Sequence, residues 1–306
     1  MPDVQNMSTN VILQWQFSPR TYFEEPRQIP HSGCIITIAD GKVEARFDAS
    51  VYDQDPSIRE PLHNTVVSLF RGAQLVNQKP YQLSPNPTII RLASDGSRGV
   101  SVEVAWTAGI VLGCAVGCAV DIQVLDKDGK VVRDSRQERI AKRNGLADLA
   151  ERHAKDPVAL NLLKSFDTAM NDPPNELIHL YEIRDALKTK FGGDGTTPAA
   201  LSISRRKWSR FGKLADDEPL KQGRHRGIHA SALRDATNSE LNEARDIARG
   251  MIEAYLQYLE KPPAIGDDFA LRNTVLSGRR GLLPAEMRSF YCFSEACAQV
   301  LAGARQ

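Results

Sequence analysis

The chain has 306 residues, with 39 basic against 38 acidic side chains, 42% hydrophobic and 7% aromatic residues. That length suits two domains of ordinary size, and the near-neutral charge excludes a uniformly basic nucleic-acid binder while leaving room for a local basic patch. Five cysteines, an odd number in so long a chain, do not make a disulfide framework, and Met1–Asn6 lacks the basic-then-apolar order of a secretory signal, so a cytoplasmic, reduced setting is expected.

The first 135 residues or so read as strands. Leu13-Gln14-Trp15-Gln16-Phe17 alternates strictly, and Cys34–Ile38 and Val43–Phe47 flank Asp40-Gly41, a pair suited to a tight hairpin because both positions favour positive φ. Asp95-Gly96 and Asp128-Gly129 mark further turns, the second between Ile122–Leu125 and Val131-Val132. The spacing predicts an antiparallel β-sandwich or barrel of roughly seven to nine strands. Val104–Val120 runs seventeen residues without a charge, near the roughly 17–25 that span a bilayer. It holds Gly109, Gly113 and Gly117, has acidic flanks at Glu103 and Asp121, and adjoins period-2 text, so a buried β-hairpin is expected and no membrane partner.

From about Arg139 the period becomes helical. Asp156-Pro157 combines an N-cap with a first-turn proline ahead of Leu160, Leu163, Phe166 and Met170 on one stripe. Asp172-Pro173 opens a second helix with Leu177, Leu180, Tyr181, Leu187 and Phe191 inward, stopped by Gly192-Gly193. Pro198–Leu214 reads as two short helices hinged near Ser202-Ile203-Ser204. Thr237-Asn238-Ser239-Glu240 is a capping box that starts a long helix ending at Lys261-Pro262-Pro263. The expected α+β organisation is a β-rich domain over 1–138, a helical domain over 139–262, and a linker with an accessory helix (Pro284 to about Leu301) over 263–306. The charged segment Arg136–Arg152 joins the first two.

Charge is unevenly placed. Arg184 to Arg234 holds twelve basic and five acidic residues, whereas Asp235 to Glu260 holds two basic and six acidic. Arg205, Arg206, Lys207, Arg210 and Lys213 surround Trp208 and Phe211, and cations beside aromatic rings are what a single-stranded nucleic-acid site uses for phosphates and bases. The bland alternative is a solvated basic helix face with Trp208 and Phe211 in the core.

Gln222-Gly223-Arg224-His225-Arg226-Gly227-Ile228-His229 follows, placing Arg224 and His229 with four residues between them and a polar residue after the arginine. This resembles the R-(polar)-x-H signature of the HEPN superfamily, helical domains that include many metal-independent endoribonucleases and toxins. The resemblance extends over roughly Asp156 to Glu260: two long helices, an insert, the motif and a closing helix, with Glu176–Arg184 similar to the second helix of such bundles. Gly223 and Gly227 bracket the motif here, whereas family motifs usually open a regular helix.

The resemblance implies a catalytic set of Arg224, His229 and His225. His229, with an ordinary pKa near 6.5, would take the proton from a 2′-hydroxyl or return one to the leaving oxygen. Arg224 would clamp the phosphate, and His225 or Arg226 would position it. Arg205, Arg206, Lys207, Trp208, Arg210, Lys213 and Arg226 form the expected nucleic-acid-binding set. RNA is the expected partner, with DNA as alternative, together with a homodimer, a toxin or phage-defence role, and no metal or cofactor. Other readings are a non-catalytic bundle for dimerisation or nucleic-acid binding, a basic turn with His229 merely packing, and a helix-turn-helix DNA-binding regulator over Ala199–Leu214. Cys114-x3-Cys118 and Cys292-x4-Cys297 lack zinc spacing, and Gly192–Thr197 lacks the lysine of a phosphate loop.

Overall fold

A computed structural model of the chain describes residues 8–93, 98–102, 121–125, 127–128, 130–224, 226 and 232–261. The described residues up to Glu260 form one compact unit. The uncharged Val104–Val120 stretch, expected as a hairpin, and the accessory helix expected between Pro284 and Leu301 lie outside the described residues.

The N-terminal part is an open antiparallel sheet. β1 (Ser8–Ser18) pairs on one side with β4 (Lys42–Asp48), which pairs with β3 (Cys34–Ala39) and then β2 (Arg27–His31). On its other side β1 pairs with β6 (Thr88–Ala93), which pairs with β7 (Arg98–Val102), while the short β5 (Gln82–Leu83) extends the end of β1. Strict alternation puts Val11, Leu13, Trp15 and Phe17 on one face with Ile36, Ile38, Val43 and Phe47, all buried. Asp40 and Gly41 turn β3 into β4 at φ 49° and 79°, as their dipeptide predicts. Pro30 sits in the outermost strand β2, where a missing N–H costs no ladder bond.

The expected sandwich or barrel is corrected. Among the described residues the sheet does not close, and the only other sheet is the two-stranded ribbon of β8 (Gln123–Leu125) and β9 (Val131–Asp134). The apolar face is covered by helix. After a short α1 (Ala49–Gln54) comes α2 (Arg59–Asn77), which the strand-based reading of this half missed. Leu62, Val66, Leu69, Phe70 and Ala73 recur at helical spacing and are buried with the sheet residues in one apolar cluster. Phe70 stacks on Tyr22 with ring centres 5.6 Å apart and meets Phe17 and Phe23 edge-on at 5.1 Å.

A second cluster lies among the helices α3 (Ser135–Arg152), α4 (Pro157–Asn171), α5 (Glu176–Phe191), α6 (Thr197–Ala200), α7 (Arg205–Gly212) and α8 (Asn238–Leu259). The start signals act as read. Asp156 accepts from the Ala159 N–H, and Thr237 and Glu240 close the capping box reciprocally. Asp172 differs: Pro173–Asn175 forms a 3-10 turn before α5, and the Asp172 carboxylate accepts from Asn175 and contacts His179 instead.

The position 138 taken as a domain boundary falls inside α3, whose N-cap is Asp134. Leu75 of α2 belongs to the bundle cluster and Ala147 of α3 to the sheet cluster, so the two helices carry both cores. They cross closely at Gly72, where a Cβ would lie 2.5 Å from the Leu146 carbonyl oxygen and 2.6 Å from the Ala147 Cα. Gly72→Ala must therefore push two backbones apart. Its expected cost is about 1–3 kcal/mol of unfolding free energy, the usual scale of core overpacking. Gly145→Ala, on the open side of α3 where an added Cβ meets nothing within 4 Å, is expected to keep or raise stability. Urea titration of the two variants checks the contrast.

Candidate nucleic-acid interface

The basic region occupies the insert between α5 and α8, and four features hold it in shape. Gly192 ends α5 in the left-handed region at φ 79°. Ser202, at φ 54°, breaks the chain between α6 and α7. The π-helical turn Lys213–Asp217 continues α7. The returning chain is then tied by Lys221 N–H to Arg234 O at 2.9 Å and Arg234 N–H to Pro219 O at 3.0 Å. The Arg234 guanidinium joins both sides: it donates to Glu240 of the capping box at 2.7 and 2.8 Å and to Glu218 at 3.0 Å.

Within this frame the residues alternate ring and cation. The Trp208 indole, 3% exposed, donates to Asp194 at 2.9 Å. The Arg184 guanidinium lies between Trp208 and Tyr181, its Cζ 5.1 Å and 5.3 Å from the two ring centres, and donates to Asp194 at 2.8 Å and to the Tyr181 hydroxyl at 3.0 Å. Arg224 covers Tyr181 at 4.5 Å and donates to Asp185 at 3.2 Å. Burial opposes ionisation of Asp194, but the Trp208 N–H and the cations Lys188 and Arg184 outweigh it and hold the carboxyl below its ordinary value. Burial pushes the Tyr181 phenol upward, keeping the ring neutral beneath two guanidinium groups.

These contacts sort the expected site residues. Arg224 is a partly exposed cation on a ring platform. His225 and His229 lie outside the described residues. Arg205, Arg206, Lys207 and Lys213 are exposed, with no ion-pair partner among the described residues. Three residues of the expected nucleic-acid-binding set are engaged within the protein. Trp208 is packed beneath Arg184 and offers no face to a base. Arg210 is held by Glu243 at 2.9 and 3.1 Å and by Glu218 at 2.9 Å, so its charge is already balanced. Arg226 donates to the carbonyls of Gly223 and Pro174 and to Asn175, tying its loop to the start of α5.

The helix-turn-helix expectation is weakened by geometry: α6 is a single turn of four residues. Tyr181, Arg184, Asp185 and Asp194 were not singled out as site residues. Tyr181 and Arg184 stand three apart on one helix, a spacing that puts a ring and a cation on one face. Their joining to Trp208 and Arg224 across the insert has no local signal. Among the described residues no group of three or more His, Cys, Asp or Glu side chains is placed to hold a metal ion, and no helix is long and apolar enough to cross a membrane.

Trp208→Ala is expected to lower stability by about 3–5 kcal/mol, as for other fully buried aromatic residues. Arg206→Ala and Lys207→Ala are expected to change it by no more than about 0.5 kcal/mol, which denaturant titration would resolve. The pH dependence is equally specific. The Arg234 fork and the Thr237 backbone and hydroxyl draw the Glu240 carboxyl from 4.5 down to about 2, against a small opposing effect of burial. Its folded value lies below the unfolded one, so its stabilising contribution is complete above about pH 4.5 and is lost as pH falls through about 2. Glu240→Gln should remove that part of the acid dependence of the melting temperature. Comparison of the chain with protein-family models, curated proteins and solved structures returned no match.

Proposed function

We propose that the protein is a metal-independent endoribonuclease whose helical part belongs with the HEPN superfamily and acts as a homodimeric toxin or phage-defence effector. The observation that carries this is the presentation of Arg224. Its guanidinium is partly exposed, braced on Tyr181, and stands five residues before His229, in a loop whose Arg224 backbone N–H is tied to the Ala215 carbonyl just past α7. A permanently charged fork held by one ring retains N–H donors for a phosphate, and Asp185, itself partly exposed, is a partner that a phosphate dianion or diester can displace. The helical order also supports the reading: α4 and α5, the insert, the motif and the long α8 follow one another as in such domains.

In the proposed reaction His229 takes the proton of a ribose 2′-hydroxyl. The oxygen then forms a bond to the adjacent phosphorus, and the bond from phosphorus to the 5′-oxygen breaks. The leaving oxygen takes up a proton, giving a 2′,3′-cyclic phosphate and a 5′-hydroxyl. Arg224 balances the charge that builds on the non-bridging oxygens. The β-sheet part would sense a trigger or recruit the RNA.

Incubation of the purified chain with total RNA in chelator tests the proposal. Cleavage is expected to persist and to leave cyclic phosphate ends. His229→Ala should slow it by at least about a hundredfold, the scale of a lost general base. Arg224→Ala should slow it comparably while leaving the melting temperature near that of the parent. An unimpaired His229→Ala protein would remove the assignment.

A further inference from the structure

A well-formed hollow in the helical part lies away from Arg224. It is a groove of about 1060 Å³ between the Ser202–Ser204 turn with α7 on one side and α8 on the other. Ile203 and Ala254 contribute its accessible apolar surface over the buried Ile247 and Met251, and Arg206, Lys207 and Arg249 contribute cations. A smaller hollow of about 360 Å³ shares Arg206 and Arg210 with it and reaches Lys213 along α7.

The charges of the groove do not cancel. Glu243 is occupied by Arg210, and Asp246 by Arg249 at 3.2 Å. Arg206, Lys207 and Lys213 have no ion-pair partner among the described residues, so the uncompensated charge is positive. Arg206 and Lys213 are seven residues apart, about two helical turns or roughly 10 Å along α7. The chain that follows bends at the π-helical turn toward Arg224, whose backbone N–H donates to Ala215 O at 3.1 Å. Arg206 and Lys213 therefore share one face of α7 and its continuation, which the Ala215 carbonyl ties to the Arg224 loop.

We infer that the α7–α8 groove is the track for a single RNA strand, with phosphates along Arg206, Lys207 and Lys213 and with ribose and base edges over the half-buried Ile203 and Ala254. Charge complementarity selects a polyanion. The volume, close to the roughly 300–1,000 Å³ that encloses a small ligand, admits a few nucleotides of single strand. With Trp208 and Phe211 both buried, no aromatic residue of α7 is offered for stacking, so binding is mainly electrostatic and tolerant of sequence. This rests on the nucleic-acid part of the function proposed above and not on cleavage.

Gly250 gives a direct test. It is exposed in the groove, and a Cβ built there meets nothing within 4 Å. Gly250→Trp should fill the track without disturbing the bundle, and Gly250→Ala should leave it open. The full chain is titrated with a fluorescein-labelled single-stranded uridine oligonucleotide at several salt concentrations. Gly250→Trp is expected to lose at least about tenfold in affinity at a melting temperature no lower than the parent's, with Gly250→Ala binding like the parent. Reversal of Arg206, Lys207 and Lys213 to Glu, all on the surface, should flatten the log–log salt slope by about 2, at about 0.7 per phosphate contact.

Binding by Gly250→Trp equal to the parent, tighter binding of the matching duplex, or no binding by the parent would overturn the track. So would a Gly250→Trp protein that only changes oligomeric state, since the groove would then be a contact between copies. A parent that binds RNA in the groove yet cuts none would end the nuclease proposal and leave the track standing.

Discussion

The approach of α2 to α3 at Gly72 is the constraint on which the two halves of the described unit depend. One side of α2 closes the apolar face of the sheet through Val66, Leu69, Phe70 and Ala73, and its end contributes Leu75 to the bundle. α3 answers with Ala147 against the sheet cluster and Leu146 and Ala150 in the bundle. The exposed polar side of α2 is confined to Glu60 and Asn64 near its start, so over the rest of its length close contact with its neighbours fixes its orientation. Charged side chains complete the join: Arg143, 1% exposed, lies over the Phe23 ring at 5.3 Å and pairs with Glu24, which Arg139 also grips at 2.8 and 3.0 Å.

The insert is built on a different balance. Its cations divide into those used internally and those left to solvent. Arg184, Arg210, Arg226 and Arg234 each have anionic or carbonyl partners and shape the loop that carries Arg224. Arg205, Arg206, Lys207 and Lys213 carry the charge available to another molecule. Surface pairs of this kind contribute little to stability singly, and their greater effect here is to hold a long irregular segment in one conformation.

Much of this was legible in local chemistry. The Asp40-Gly41 hairpin, the Asp156-Pro157 start, the capping box at Thr237 and the break near Ser202 were all read from residue type, because each depends on φ preference or on hydrogen bonds within a few residues. α2 was missed because the surrounding text is rich in strands, although Leu62, Val66, Leu69 and Ala73 keep helical spacing. The open sheet was misjudged for the same reason: once a helix covers the apolar face, no second sheet is required.

The sequence by itself determined the helices that follow Asp156-Pro157, Asp172-Pro173 and Thr237, the alternating buried face of β1, β3 and β4, and the concentration of cations between Arg184 and Arg234. These follow from periodicity and composition, which are local. Only the tertiary structure decided which cations remain free and whether a ring is exposed. Arg210 and Arg206 are four residues apart in one basic run, yet Glu243 of α8 and Glu218 balance the first, while the second faces solvent. Trp208 reads as a stacking platform beside its basic neighbours, but Asp194, fourteen residues earlier, and Arg184 hold it in the bundle. Burial and charge pairing depend on partners distant in the chain, so no reading of the segment alone fixes them.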